Sequence, residues 1–331
     1  MKHLRVLGVS AGQGALLFPF KENLVANIEP RAVFHTKNEE QWKLNFGDIP
    51  FLRNELPDIK ADVIISSPDC GASSIMRLSK VKQLGKPEEN KSLNLVIQAI
   101  NKYRPKVFLL ENLPRLVTLL PKEFFEIQVP GYKLIYHQRS VVDFGNSQVS
   151  RKRLIIVGIK IKSKSYLNKF DNIFRVDTPV SSRKLLECPY FKENNDNYMP
   201  PLNKILAMYD YRALPEKKNL TVKQIKKLWR TDFKDEKKWP IKTAKMSTLP
   251  GVYRLEYDKP PLTLRPADRQ FRPDGYPLGI KDFKNIMGFP DEYKIYMDKD
   301  NYLYWLNKAR YTIAKGSVYQ VGKWFKKCLL S

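Results

Sequence analysis

A cysteine, a glutamate and two arginines in this chain each stand where an apolar run ends or begins. Val63–Ile65 gives way to Ser-Ser-Pro-Asp and then to Cys70-Gly71. Val107–Leu110 stops at Glu111-Asn112-Leu113-Pro114, and Gln148, Arg151 and Arg153 precede the run Leu154–Val157. A cysteine in its thiolate form is a nucleophile. A carboxyl group can hold a proton, and a guanidinium can stabilise developing negative charge. Singly, each has a plainer reading: Cys70 as a buried, inert thiol, Glu111 as a capping or salt-bridging acid. Together they describe a cleft, because strand ends of an open α/β sheet converge on one crevice.

The elements that must position these groups follow from the apolar pattern. Residues 4–9 read as a first buried strand, followed by Ser10-Ala11-Gly12-Gln13-Gly14. Glycines two apart after a strand let backbone N–H groups approach a ligand and open a helix whose N-terminus faces it. A purely structural tight turn accounts for the same residues. Leu24–Ile28 reads as a second strand ending at Glu29, an acid placed to hydrogen-bond a ribose diol or simply to sit exposed at a strand end. Arg31–Asn45 reads as a helix and Gly47-Asp48-Ile49 as a loop, with Asp48 able to accept from an adenine amino group. The basic loop Arg77–Lys91 has the look of a lid. Ser92–Lys102 carries helical apolar spacing, and 106–110, 132–139 and 154–160 read as strands. This is strand–helix alternation of parallel-sheet character.

Near Ser163 the composition shifts to Lys, Pro, Asn and Tyr. One helix, Thr221–Arg230, pairs an apolar face with a basic one, and bases alternate with aromatics as far as Lys245. Such interleaving suits phosphate contact and base stacking. A solvated helix face around a core tryptophan is the plainer alternative. Lys281–Met287 reads as a short helix ending at Gly288, and Tyr311–Lys327 as helical around the turn Lys315-Gly316-Ser317-Val318.

The 331 residues carry 59 Lys+Arg against 34 Asp+Glu, a net charge of +25. So large an excess favours a polyanionic partner such as nucleic acid. The three cysteines are far apart and the three histidines scattered, so no metal site is expected, and the thiols suit a reducing cytoplasm. The N-terminus has no signal-peptide architecture, and no run approaches membrane-spanning length.

Cys70, Glu111 and Arg151/Arg153, in this order with these flanks, resemble the C5-cytosine DNA methyltransferases. SAGQG is similar to their cofactor-loop motif and GDI to the acidic motif that follows. SPDC resembles their Pro-Cys motif and ENLPRL their Glu-Asn-Val motif. QVSRKRLIIVG is similar to Gln-x-Arg-x-Arg, PLGIKDFKNIMGFPDEY to the late helix ending in Gly-Phe-Pro, and AKGSV to the terminal turn. The resemblance implies an α/β fold: a Rossmann-like S-adenosylmethionine-dependent methyltransferase sheet with helices on both faces, plus a smaller, irregular target-recognition domain. Residues 1–162, completed by 305–331, would form the catalytic domain, and 163–304 the DNA-binding one.

The resemblance also implies a mechanism. Cys70 attacks C6 of a flipped-out cytosine, making C5 nucleophilic. Glu111 holds N3 and the exocyclic amine, Arg153 holds O2, and Arg151 braces a phosphate or Glu111. S-adenosylmethionine lies along Ser10, Ala11, Gly12, Gln13, Gly14, Glu29, Asp48 and Ile49, with Ser317 closing the pocket. The implied partner is double-stranded DNA, the implied state a monomer in the cytoplasm with no membrane partner. A cognate restriction endonuclease leaves no mark in this chain. Asp69 replaces the usual proline, Ser10 an aromatic and Gly316 an asparagine. Gln148 stands one residue too far from Arg151, and Asn27 competes with Glu29 for the family's acidic position. These departures motivate two alternatives, a non-catalytic DNA-binding relative and methylation of RNA or a modified pyrimidine.

Overall fold

In the computed structural model the apolar runs of the first half of the chain become one sheet. The structure describes residues 4–30, 36–69, 90–145, 151–171, 185, 252–255, 260–261, 269–271, 278, 280–296 and 319–331. The strands are β1 (Val6–Val9), β2 (Leu24–Glu29), β3 (Phe51–Arg53), β4 (Val63–Ser66), β5 (Val107–Asn112), β6 (Tyr132–Ser140) and β7 (Lys152–Lys160). They form a seven-stranded sheet in the order β3-β2-β1-β4-β5-β7-β6. Between them lie α1 (Thr36–Phe46), α2 (Lys91–Tyr103), α3 (Leu116–Leu119) and α4 (Lys122–Gln128). Later come β8 (Val252–Arg254) and β9 (Arg269–Phe271), a parallel pair, then α5 (Ile280–Met287) and α6 (Tyr319–Leu330).

Side chains alternate across each strand, and both faces are buried. Val63, Ile65, Val107, Leu109, Ile155 and Val157 join a core closed by Trp42 and Phe46 of α1 and Phe325 of α6. Ile64, Phe108, Leu110, Leu154 and Ile156 face the other way, onto Leu93, Val96 and Ile100 of α2 and Phe125 of α4. A strand covered on both sides needs apolar residues at every position, which is why these strands read as unbroken runs. Asn90 caps α2, its Oδ1 accepting from Ser92 N at 2.9 Å and Leu93 N at 3.2 Å, a contribution of about 1 kcal/mol.

The structure departs from the sequence reading in several places. The sheet is parallel from β3 to β5, but β7 runs antiparallel to both β5 and β6. No α-helix opens after the glycine loop: turns lead into a 3-10 helix, Phe18–Asn23, with Pro19 in its first turn. A proline suits the start of a helix but supplies no N–H to the turn before it. The helix read over Arg31–Asn45 is described from Thr36 and ends at Phe46. The lid read over Arg77–Lys91 lies outside the described residues up to Glu89, and its last residue already begins α2. The helix read over Thr221–Arg230 and the turn holding Ser317 also lie outside. Residues 280–296 pack through Phe283, Ile286, Phe289 and Tyr293 against Ala15 and Phe18. Among the described residues, no helix is long and apolar enough to cross a membrane.

Candidate active site

The antiparallel turn of β7 determines which groups can meet. Parallel strands β1, β4 and β5 present their carboxyl ends to one edge of the sheet. A neighbouring antiparallel strand presents its amino end there instead. Asn112, last in β5, therefore pairs with Leu154, and Glu111 with Ile155. Arg151 and Arg153, at the start of β7, arrive beside the end of β5. β1 and β4 are direct neighbours, and the chain leaves β1 towards β2 on one side before returning to β4 on the other. The strand order reverses between these two strands, the place where open α/β sheets take ligands.

Glu111 is the centre of the cluster and is 3% exposed. Arg153 Nε lies 2.8 Å from its Oε1. Ser67 Oγ donates to its Oε2 at 2.6 Å. Burial pushes the Glu111 carboxyl above the ordinary range, although Arg153, Ser67 and Arg151 all pull the other way. The guanidinium in contact with Glu111 is that of Arg153. Arg151, read as bracing a phosphate or Glu111, is 2% exposed and bears on Glu111 through its charge. Arg153 Nη1 donates to Lys152 O at 2.8 Å.

The turn after β4 is held at each residue. Ser66 Oγ donates to Leu109 O at 2.8 Å, and Ser67 N to Ser10 O at 3.3 Å. Asn112 Nδ2 donates to Pro68 O at 3.0 Å. Asp69 N donates to Ser92 Oγ at 3.1 Å, and Asn90 Nδ2 to Asp69 O at 2.8 Å. Cys70, the next residue, lies outside the described residues, as does Gln148. The fixed turn thus runs from the edge of Glu111 to the residue before Cys70.

Across the strand-order reversal lies the loop after β1. Ser10 is buried, with φ 51°, a left-handed conformation uncommon for a residue with a Cβ. Three contacts hold it: Ser10 N to Ile28 O at 2.7 Å, Ser10 Oγ to Ser92 O at 3.1 Å, and its carbonyl to Ser67 N. Ala11 is buried beside it. Gly12 (φ 61°) and Gly14 (φ 81°) are also left-handed. A Cβ on Gly14 would lie 2.4 Å from Phe46, whereas one on Gly12 meets nothing within 4 Å among the described residues. Tyr293 Oη donates to Gln13 O at 2.9 Å, fastening the segment after α5 onto this loop.

Glu29, last in β2, accepts at Oε1 from Gly12 N at 2.7 Å and Asn27 Nδ2 at 2.9 Å. Burial pushes its carboxyl up to about 7, against those hydrogen bonds. Asn27, fully buried, also donates to Gly12 O at 3.3 Å. Asp48 is exposed, and Ile49 O accepts from Trp42 Nε1 at 2.7 Å. Open space over Gly12 beside a carboxyl acceptor fits an adenosyl group with a ribose diol.

The structure thus brings together Glu111, Arg153 and Arg151 at one cluster, and Ser10 to Gly14 with Glu29 at another. Ser67 bridges the two. Ser67, Asn112 and Ser92 received no role from the sequence. Ser67 stands in the SSPDC run, but its reach to Glu111 depends on the pairing of β4 with β5.

Residues 22–306 match the sequence pattern of the family described as C-5 cytosine-specific DNA methylase. The chain is similar to the type II methyltransferase M.Bpa9945I of Bacillus paralicheniformis, with 24% identity over 83% of this chain and 63% of the relative. It is also similar to the type II methyltransferase M.HaeII of Haemophilus aegyptius, with 28% identity over 48% of this chain and 51% of the relative. In both comparisons the chain spans less than two thirds of the relative's length. Among solved structures, a mutant of Spodoptera frugiperda DNMT2 shares the fold, with a TM-score of 0.60 and 14% identity, over 99% of this chain and all of that one.

Proposed function

The chain belongs to the C-5 cytosine-specific DNA methylase family, and from that we propose that it transfers a methyl group to C5 of a flipped-out cytosine in DNA. The observation that carries the proposal is the Glu111 cluster. A buried acid is held by a serine on one oxygen and a guanidinium on the other, one short turn from the residue before Cys70.

Cytosine C5 is a poor nucleophile. The Cys70 thiolate adds to C6, forming an S–C6 bond and pushing electron density onto the ring. N3 of neutral cytosine is an acceptor, so Glu111 can hold it only by offering a proton. The burial that raises its proton affinity favours that form. With its proton towards N3, the same carboxyl accepts from the exocyclic amine. Arg153 keeps Glu111 oriented through Nε, and its guanidinium would hold O2, spreading the charge that develops. S-adenosylmethionine, when bound, supplies an electrophilic methyl group, and Ser10, Ala11, Gly12, Gln13, Gly14, Glu29, Asp48, Ile49 and Ser317 would hold it. After C5 is methylated, its proton is lost to a base and the S–C6 bond breaks, returning Cys70.

The chain acts in this reading as a monomer on duplex DNA, and its +25 net charge offsets phosphate charge. Residues 163–304 would supply target recognition. The test is incubation with labelled S-adenosylmethionine and either duplex DNA or RNA, followed by base-resolution mapping. Label on C5 of DNA cytosine is expected. Label confined to RNA would reassign the substrate, and no label in either would leave a binding protein.

A further inference from the structure

Three consecutive residues at the end of β4 are held from β5: Ser66 by Leu109, Ser67 by Glu111 and Pro68 by Asn112. The middle contact differs in kind. The other two join neutral groups, whereas Ser67 meets a carboxyl whose second oxygen already faces Arg153. The backbone of Ser67 points the other way, its N–H donating to Ser10 O in the loop after β1. One residue therefore touches the carboxyl of the base pocket, the loop on the cofactor side and the turn that leads to Cys70.

We propose that Ser67 is a positioning residue for the reaction: its hydroxyl fixes the Glu111 carboxyl and sets how firmly that group holds its proton. The inference rests on the reading of Glu111 given above. Arg153 can only donate, so it favours the carboxylate alone. A hydroxyl both donates and accepts. Ser67 can donate to the ionised carboxylate and, after rotation, accept from the acid. It therefore keeps Glu111 in one place through a cycle in which that proton is shared with a base. The other charged group bearing on Glu111 is Arg151, whose guanidinium also favours the ionised form.

The test is an infrared titration of the Glu111 carboxyl band in the full-length protein without substrate, with E111Q assigning the band. A hydrogen bond to a charged acceptor stabilises the ionised form preferentially. S67A should therefore raise the midpoint by about one pH unit, a tenfold change in proton affinity. S67T, which keeps the hydroxyl, should return it to the unaltered value. If S67A does not fold, S67C carries the same comparison with a weaker donor and a smaller shift. In turnover assays the alkaline limb of kcat should move with the midpoint, while the Kd for S-adenosylmethionine stays unchanged. An unchanged midpoint in S67A would overturn the proposal. The infrared readout needs no turnover, so the two failures are distinguishable: absence of methyl transfer in the unaltered protein would defeat the functional reading, whereas an unchanged midpoint would defeat the contact between Ser67 and the Glu111 proton.

Discussion

Replacing Arg153 by methionine removes the cation and keeps much of the side-chain volume. The pair it breaks is dry, with the two side chains 11% and 4% exposed and a 2.8 Å separation. Removing one partner of such a pair costs about 3–5 kcal/mol, because the other charge is left buried. Ser67 still donates to Glu111 and the Arg151 charge remains nearby, so the lower end, about 3 kcal/mol, is expected at a pH where Glu111 is ionised. The sign with pH follows from burial. Glu111 binds its proton more tightly folded than unfolded, so this group's contribution to stability falls as pH rises between its unfolded and folded values. R153M raises the folded value further and widens that window. Below the folded value Glu111 is neutral and needs no counter-charge, so the loss shrinks to packing, about 1 kcal/mol. Urea unfolding of the unaltered protein, R153M, E111Q and the double variant at both pH values measures this. E111Q/R153M should recover most of the loss at the higher pH. Equal losses at the two pH values, or a double variant equal to the sum of the singles, would refute the reasoning.

Two further predictions concern the loop after β1. G14A should lose roughly 2–4 kcal/mol of stability, from a Cβ forced onto Phe46 added to left-handed strain. G12A, with strain alone, should lose only about 1–2 kcal/mol; equal losses on denaturation would contradict the geometry. S-adenosylmethionine should bind more tightly as pH rises through about 7, where Glu29 ionises and can accept from a diol. Calorimetry in two buffers should show proton release on binding just below that pH, and E29Q should abolish both effects.

The core strands were legible because a strand covered on both faces is apolar at every position. That same property hid their direction: β7 reads as a run whether parallel or antiparallel, so the meeting of Arg153 with Glu111 could not be drawn from spacing. β3 was missed as a three-residue edge strand of partly buried residues, and α4 because Pro121 and the adjacent phenylalanines resemble a loop entering a strand. The helix expected after Gly14 fails at Phe18-Pro19-Phe20, where aromatic packing and a proline favour a tighter turn. Ser67 was invisible for a different reason. A hydroxyl gains its role only from what stands across the strand pairing.

One thiol, Cys70, carries the methylation in this reading, with the Glu111 cluster supporting it. Transfer of label from S-adenosylmethionine to C5 of DNA cytosine, compared between the unaltered protein and C70A, tests it most directly. Transfer is expected from the unaltered protein and none from C70A although DNA binding survives, with a covalent adduct to a 5-fluorocytosine duplex only when Cys70 is present. Label still reaching C5 with C70A would contradict it.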